Sequence, residues 1–496
     1  MRLAVALAAT VAALLAGCTG EAGGNGAGDP IASTLDASHE TAPAGVSGMS
    51  PPGPARLRTA RSQPVEDPYY PDTSNPEVDA LHYALTLDWD GTTLDAATTL
   101  TFRTAQPADR IRLDLSSALR ATEVTLDDEQ VIYAQASDGI EIETGSLDVN
   151  SVHTVHIEYS GTPRSTPAPS GRADMAEGLG WNVDADGSVY TYQEPYGAFT
   201  WYAVNDHPSD KALYDASITA HDGAMAVFNG ELVSKVRNGD QTTSHWRLVE
   251  PAASYLITLA VGDYSRTITR TSSGMDISYW LRPQDSDLLP GLRREGNKAF
   301  TWLERHVGPY PFSTLGVVVV GGASAMETQT MITMSRGAVE RFDAVLQHEL
   351  AHQWYGDSVT PSDWQGLWLN EGWAMYMQQW YERDTGRVVY GGGLGQWRLL
   401  DQQSRNRAGP PGDFNPQKFG DVNVYLGPAM MLEAIRSRIG AGAFAKLVKA
   451  WPAEHENSTV DRATFTRWLR SETGKNLEPL VDRWLDSPRT PLLDRS

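Results

Sequence analysis

The sequence predicts a mixed fold: an antiparallel β domain, sandwich or saddle-like, followed by an α/β domain that ends in helices. Three observations carry this. Short segments of alternating polarity, separated by turn residues, run from Asp67 to about Tyr264. Beyond that point helical periodicity takes over, interrupted by one valine-rich run of the kind buried on both faces of a sheet. The chain has 496 residues, 41% hydrophobic and 21% charged, which is ample for two or three domains with proper cores. A formal charge of −22 argues against nucleic acid or anionic membrane surfaces as partners. The single cysteine excludes an intrachain disulfide.

Residues 1–18, MRLAVALAATVAALLAGC, combine a short basic start with an apolar run ending in small residues. The run is too short to cross a membrane and stay, so it reads as a signal peptide. Its end, Leu15-Ala16-Gly17-Cys18, resembles a bacterial lipobox, in which Cys18 becomes the lipid-modified first residue. Plain secretion with cleavage nearby is the alternative, and the position of the only cysteine favours the lipoprotein. The expected location is the outer face of a bacterial cell membrane, held by the lipid anchor or released from it. Residues 19–66 are dominated by Gly, Ala, Ser, Thr and Pro without apolar periodicity, and predict a disordered tether.

The β domain is expected over 67–264. HYALTLDWD, TTLTFRT, RIRLDLS, EVTLDD, GIEIET, VHTVHIEYSG and SHWRLVE each alternate with period two. Within it, YTYQEPYGAFTWYAVNDHPSDKALY (190–214) is unusually aromatic for a surface loop and contains Glu194, with Gln193 beside it. PAASYLITLAVGDY (251–264) reads as a buried strand closing the domain.

The second domain is expected over 265–496. LRREGNKAFTWLERHVGPYPF is an amphipathic helix stopped by Gly308 and Pro309, and LGVVVVGG is a buried strand. Then comes VLQHELAHQWYGDSVTPSDWQGLWLNEGWAMY, residues 345–376. His348 and His352 lie four apart, so on a helix both imidazoles project from one face and can grip one tetrahedral zinc. Glu349 leans over the open side, where a general base takes a proton from water. A carboxylate is acceptable as third ligand. Glu371 follows His352 after eighteen residues, room for the loop GDSVTPSD to bring the chain back as a second helix. Gly356, Pro361 and Asp363 supply turn and N-cap chemistry in that loop. Trp354, Tyr355, Trp368 and Trp373 read as core packing. AGPPGDFNP is a further loop, and VYLGPAMMLEAIRSRI begins another helix.

H-E-L-A-H, W-Y-G-D and W-L-N-E-G-W-A at this spacing resemble the aminopeptidase N family of zinc peptidases, within the gluzincin group. The resemblance covers about 67–488 and implies a thermolysin-like catalytic domain with one zinc ion on His348, His352 and Glu371. Ser324-Ala325-Met326-Glu327-Thr328, 21 residues before His348 at its glutamate, is similar to the family's G-A-M-E-N motif. By that likeness Glu327 binds the substrate's α-ammonium, while the edge strand of Ala325 and Met326 meets its backbone. Glu194 falls on the glutamate that helps bind the same amine, and Tyr425 on the tyrosine that donates to the oxyanion.

This chain departs from the family's pattern at Ser324 and Thr328, at Gly427-Pro428 after the tyrosine, and at Gln378, where relatives tend to carry a carboxylate. Longer members add a C-terminal helical domain, for which the stretch before Ser496 leaves no room. The implied activity is hydrolysis of the first peptide bond of peptides with a free N-terminus. No obligate protein partner is evident. An endopeptidase on the same scaffold would not need the two amine-binding glutamates. A catalytically inactive surface binding protein would not need the ligands, base and tyrosine together.

Overall fold

In a computed structural model of the chain, residues 52–341 and 345–493 are described. The signal peptide, Cys18 and the tether up to residue 51 lie outside the described residues.

The N-terminal domain is built on an eight-stranded sheet. Its order is Glu231–Asn238, Gln241–Ala253, Lys211–Ala220, Val78–Trp89, Leu94–Thr104, Val152–Gly161, Leu119–Leu126 and Glu129–Gln130. Alternation sets the faces: Leu85, Leu87 and Trp89 are buried, and Thr86 between the leucines is exposed. A three-stranded sheet (Ala108–Asp114, Gly139–Leu147, Tyr133–Ala136) turns Ile111, Leu113, Ile140 and Ile142 into the same core, giving the sandwich. A four-stranded sheet, Met225–Phe228, Leu259–Gly262, Val189–Tyr192 and Gly180–Val183, carries the aromatic segment that leads to Glu194.

Two expectations need correction. The domain is not wholly antiparallel, because Val78–Trp89 runs parallel to Lys211–Ala220, with His82 opposite Leu213. Period-two patterning reports which face a side chain takes and is blind to strand direction. The tether, expected over 19–66, also ends earlier than its composition suggests. Pro54–Leu57 form a helical turn continued by a 3₁₀ turn, Arg58–Ala60. Ser62 is then pinned: its N–H donates to Asp79 (2.8 Å), its carbonyl accepts from Arg103 (3.0 Å), and its Oγ accepts from the Lys211 N–H (3.0 Å). Backbone hydrogen bonds of this kind need no apolar pattern, so composition does not announce them.

The sheets change at Tyr264–Ser265. The second domain has a five-stranded sheet in the order Ser265–Arg270, Asp276–Leu281, Leu315–Val320, Met331–Ser335, Ala325–Met326. Leu315–Val320 has parallel neighbours on both sides and is buried throughout, as its valine run requires. Helix Leu289–His306 covers one face with Leu292, Ala299, Phe300 and Leu303. The helices Val345–His352, Leu367–Asp384, Leu394–Ala408 and Asn423–Ile439 follow, then Ala441–Glu454, Arg462–Thr473 and Glu478–Asp486. Trp354, Tyr355, Trp368 and Trp373 are buried in this domain's core.

Two contacts position the site. Lys211, buried in the β domain, donates from Nζ to the carbonyls of Asp357 (2.7 Å) and Ser358 (3.1 Å), gripping the loop behind His352. A Cβ at Gly372 would sit 2.5 Å from Pro428 Cβ, so helices Leu367–Asp384 and Asn423–Ile439 touch there only because residue 372 is glycine. That crossing brings Tyr425, in the first turn of the second helix, over the first.

Candidate metal centre and active-site cleft

Helix Val345–His352 presents His348 and His352 from one face, both buried. The chain then turns at Gly356 (φ 142°), where a Cβ would lie 3.1 Å from His352 Nδ1. A short strand, Val359–Pro361, leads to Asp363, whose carboxylate accepts from the Gly366 N–H (3.3 Å) and caps the 3₁₀ turn Trp364–Gly366. Helix Leu367–Asp384 follows and carries Glu371 back beneath the histidines.

The three ligating atoms converge. His348 Nε2 and His352 Nε2 are 3.1 Å apart, and Glu371 Oε2 is 3.2 Å from the first and 3.4 Å from the second. Zinc bonds of about 2.0–2.1 Å at tetrahedral angles put neighbouring donors about 3.3 Å apart, so these residues fit that ion. His352 Nδ1 is 3.1 Å from the Tyr355 carbonyl, an acceptor only, so Nδ1 carries the proton and Nε2 offers its lone pair. Burial holds the His348 imidazole below its ordinary range, and Glu371 and the Gln378 side chain, which faces it, oppose that. The Gln378 amide donates to Glu382 Oε1 (2.9 Å), so a carboxylate stands one helical turn beyond the glutamine rather than beside the histidine.

Electrostatics make the same point about a cation. Glu194, Glu327, Glu349 and Glu371 are all buried around this centre. Burial opposes charge on Glu371, but His352 and His348 outweigh it and hold its carboxyl well below the usual carboxylate range. Burial also opposes charge on His352, and there Glu327 and Glu371 prevail, keeping it well above the imidazole range. Glu349 is pushed well up by burial, with the Glu327 and Glu371 carboxylates adding to the effect. So is Glu194, by burial and then by Glu327 and Glu371. Such a crowd of buried carboxylates is short of positive charge. Glu349 and Glu327 group with His352, their ligating atoms within 4.8 Å of one another.

The cleft holding these residues has a volume of about 380 Å³. At its far side Glu194 Oε1 and Glu327 Oε1 are buried without a hydrogen-bond partner. The edge strand Ala325–Met326 pairs antiparallel with Met331–Ser335 on one side and lines the cleft. Tyr425 enters from helix Asn423–Ile439, its ring 6.1 Å from that of His348 and inclined by 29°.

The departures from the family pattern are accommodated. Ser324 Oγ donates to Asp174 Oδ2 (3.0 Å), and its carbonyl accepts from Tyr192 OH (2.9 Å). Buried Thr328 Oγ1 bonds the Met331 carbonyl and Thr333 Oγ1, so threonine holds the turn after Glu327. Gln193 points away from the cleft: its Oε1 accepts from Trp201 Nε1 (2.9 Å) and its Nε2 donates to the Ser254 carbonyl (2.7 Å). Gly427 leaves space for the buried Asp401–Arg405 pair, whose atoms would lie 2.7 and 2.8 Å from a Cβ there.

Sequence reasoning missed two groups. Gln353 Nε2 donates to the Glu327 carbonyl (2.8 Å) and to Asp357 Oδ2 (2.6 Å), and its Oε1 accepts from the Thr330 N–H (3.0 Å). It therefore fastens the Glu327 turn to the histidine helix; a glutamine directly after His352 was the available signal. Arg172 and Asp174, from a β-domain loop, also line the cleft, and nothing in SGRADMAEG announces it.

Residues 295–484 match the family model described as Peptidase family M1 domain. The chain is similar to Aminopeptidase 2 of Candida albicans, 23% identical over 459 residues that cover 84% of this chain and 48% of that protein. It is also similar to Aminopeptidase N of Lactococcus lactis subsp. lactis, 25% identical over 409 residues, 76% of this chain and 47% of that one. The chain thus spans about half the length of these curated relatives. Among solved structures, the M1 zinc metallopeptidase from Deinococcus radiodurans superposes with a TM-score of 0.75 at 24% identity, covering 87% of this chain and 99% of that one. A mutant of that protein bound to a Tyr-Ser-Ala substrate gives the same TM-score and identity, over 87% of this chain and 100% of the other. These structures share the fold.

Proposed function

We propose, from the premise that the chain belongs to peptidase family M1, that it is a zinc-dependent aminopeptidase removing N-terminal residues from peptides. The observation that carries this reading is the pairing, in one cleft, of a three-donor metal cage with two buried carboxylate oxygens, on Glu194 and Glu327, that accept no hydrogen bond. The cage suits hydrolysis and the carboxylates suit an ammonium.

His348, His352 and Glu371 would hold the zinc, which when bound supplies a Lewis acid that activates water and polarises the scissile carbonyl. Glu349 accepts the proton of the attacking water and returns it to the leaving amine. The Tyr425 hydroxyl donates to the carbonyl oxygen as it gains charge. Glu327 and Glu194 accept hydrogen bonds from the substrate ammonium and so select the first peptide bond, while Ala325 and Met326 offer an edge to its backbone. The Deinococcus relative's tripeptide complex supports peptides as substrates.

Metal removal tests the reading. A chelator is expected to abolish turnover of free-amine aminoacyl reporters, and one equivalent of zinc per chain to restore it. Full turnover by metal-free protein sinks the proposal.

We propose further that the chain is exported and anchored by lipid on Cys18 to the outer face of a bacterial membrane. The support is the apolar run that ends at the only cysteine. Among the described residues no helix is long and apolar enough to cross a membrane. Cys18→Ser should abolish incorporation of labelled fatty acid and move the protein from membrane to soluble fractions. Unchanged labelling of the mutant excludes the anchor.

A further inference from the structure

The loop between strands Val152–Gly161 and Gly180–Val183 leaves the β domain and crosses to the peptidase domain on both sides of the cleft. On one side it docks beside Tyr425. The Phe419 N–H donates to the Pro169 carbonyl (3.0 Å), and Ser170 Oγ donates to the Phe419 carbonyl (2.9 Å). On the other it meets the Glu327 motif, where Ser324 Oγ donates to Asp174 Oδ2 (3.0 Å).

Arg172 sits between these two moorings. Its Nε and Nη2 form a fork on Asp174 (3.1 and 2.6 Å), and its Nη1 donates to the Tyr425 hydroxyl oxygen (2.9 Å). The seat is shaped for it. Gly420 has φ 66°, and a Cβ there would lie 3.0 Å from Arg172 Nη1 and 3.8 Å from Tyr425 OH.

We propose that Arg172 is a positioning residue for the hydrolytic reaction, contributed by the β domain: it fixes the direction and donor strength of the Tyr425 hydroxyl. The inference rests on the oxyanion role given to Tyr425 above. A guanidinium can only donate, so the phenol oxygen must accept from it and the phenol proton must point elsewhere. The Glu371 carboxylate lies within hydrogen-bond reach of the hydroxyl and is the acceptor the phenol proton meets here; because Glu371 belongs to the metal cage, that proton is turned toward the metal centre, where the reacting carbonyl comes. A hydroxyl that accepts a charge-assisted bond is polarised and donates more strongly. Asp174 holds the guanidinium in plane, and Ser324 holds Asp174. The serine at 324 thereby connects the amine-binding motif to the oxyanion donor through three side chains.

A strap that merely joined two domains would show the same contacts, and a double-mutant cycle separates the two roles. In the zinc-loaded full chain, Arg172→Met is expected to lower kcat about tenfold or more, with KM for a free-amine substrate nearly unchanged. Tyr425→Phe should cost more, and the double variant should be no slower than Tyr425→Phe within about twofold, because Arg172 has nothing left to act on. Arg172→Lys, which keeps the charge without the fork, should fall between wild type and Arg172→Met. Binding gives a second readout. A phosphinic peptide analogue, whose anionic oxygen takes the oxyanion's place, should bind about tenfold more weakly to Arg172→Met, while a free amino acid binds as before. Losses that multiply in the double variant, or an unchanged kcat in Arg172→Met beside an impaired Tyr425→Phe, overturn this proposal alone. Full activity in Tyr425→Phe removes the role of Tyr425 and this proposal with it.

Discussion

Glu349→Gln is expected to keep its zinc and to lose about three or more orders of magnitude in turnover. Glu349 is one residue from His348 in sequence, but it is not among the three converging ligands, so exchanging its carboxylate for an amide leaves the cage intact. What changes is basicity. Burial pushes its carboxyl well above the usual range, His352 opposing and Glu327 and Glu371 adding to the shift, and a carboxylate so placed can take a proton from water. Glutamine has the same shape and no such capacity. Metal content and steady-state turnover, measured on the same preparation, decide the matter. A zinc-replete mutant with retained activity takes Glu349 out of the mechanism.

How far the sequence carries the reader depends on the range of each interaction. His348 and His352 are legible because four residues of helix set their geometry locally, and Glu371 because one loop and one helix return it. The β domain is legible in its alternation, yet the parallel pairing of Val78–Trp89 with Lys211–Ala220 is not, since alternation carries no direction. Ser62 looks like linker because its partners, Asp79, Arg103 and Lys211, are brought to it only by the folded sheet. Glu194 and Glu327 stand out only through resemblance; nothing in their immediate surroundings distinguishes them from paired surface carboxylates. Arg172 is the extreme case. It meets Tyr425 across 253 positions of sequence, from a loop whose composition is that of any exposed turn. Departures such as Ser324 and Gln378 likewise gain meaning only when Asp174 and Glu382 appear beside them.

Glu327→Gln should lower kcat/KM for a free-amine peptide by about two or more orders of magnitude. Glu327 is 4% exposed, its Oε1 accepts no hydrogen bond and stands 3.9 Å from His352 Nδ1, and its carbonyl is held by Gln353, so the carboxylate is fixed in place with room for a donor. A substrate ammonium would satisfy it and Glu194 together, and that contact also fixes which carbonyl reaches the metal cage. Losing it therefore costs alignment as well as binding. The amide in Glu327→Gln still accepts a hydrogen bond but brings no charge to meet the ammonium. The comparison that isolates this effect uses an N-acetylated version of the same peptide. It should be cleaved poorly by the unmodified protein, because one neutral amide N–H replaces the three charged donors of an ammonium and leaves two buried carboxylates undercompensated. It should also be little affected by the mutation. Equal cleavage of acetylated and free peptides by the unmodified protein ends the amine-recognition argument, and an endopeptidase on the same metal centre then takes its place.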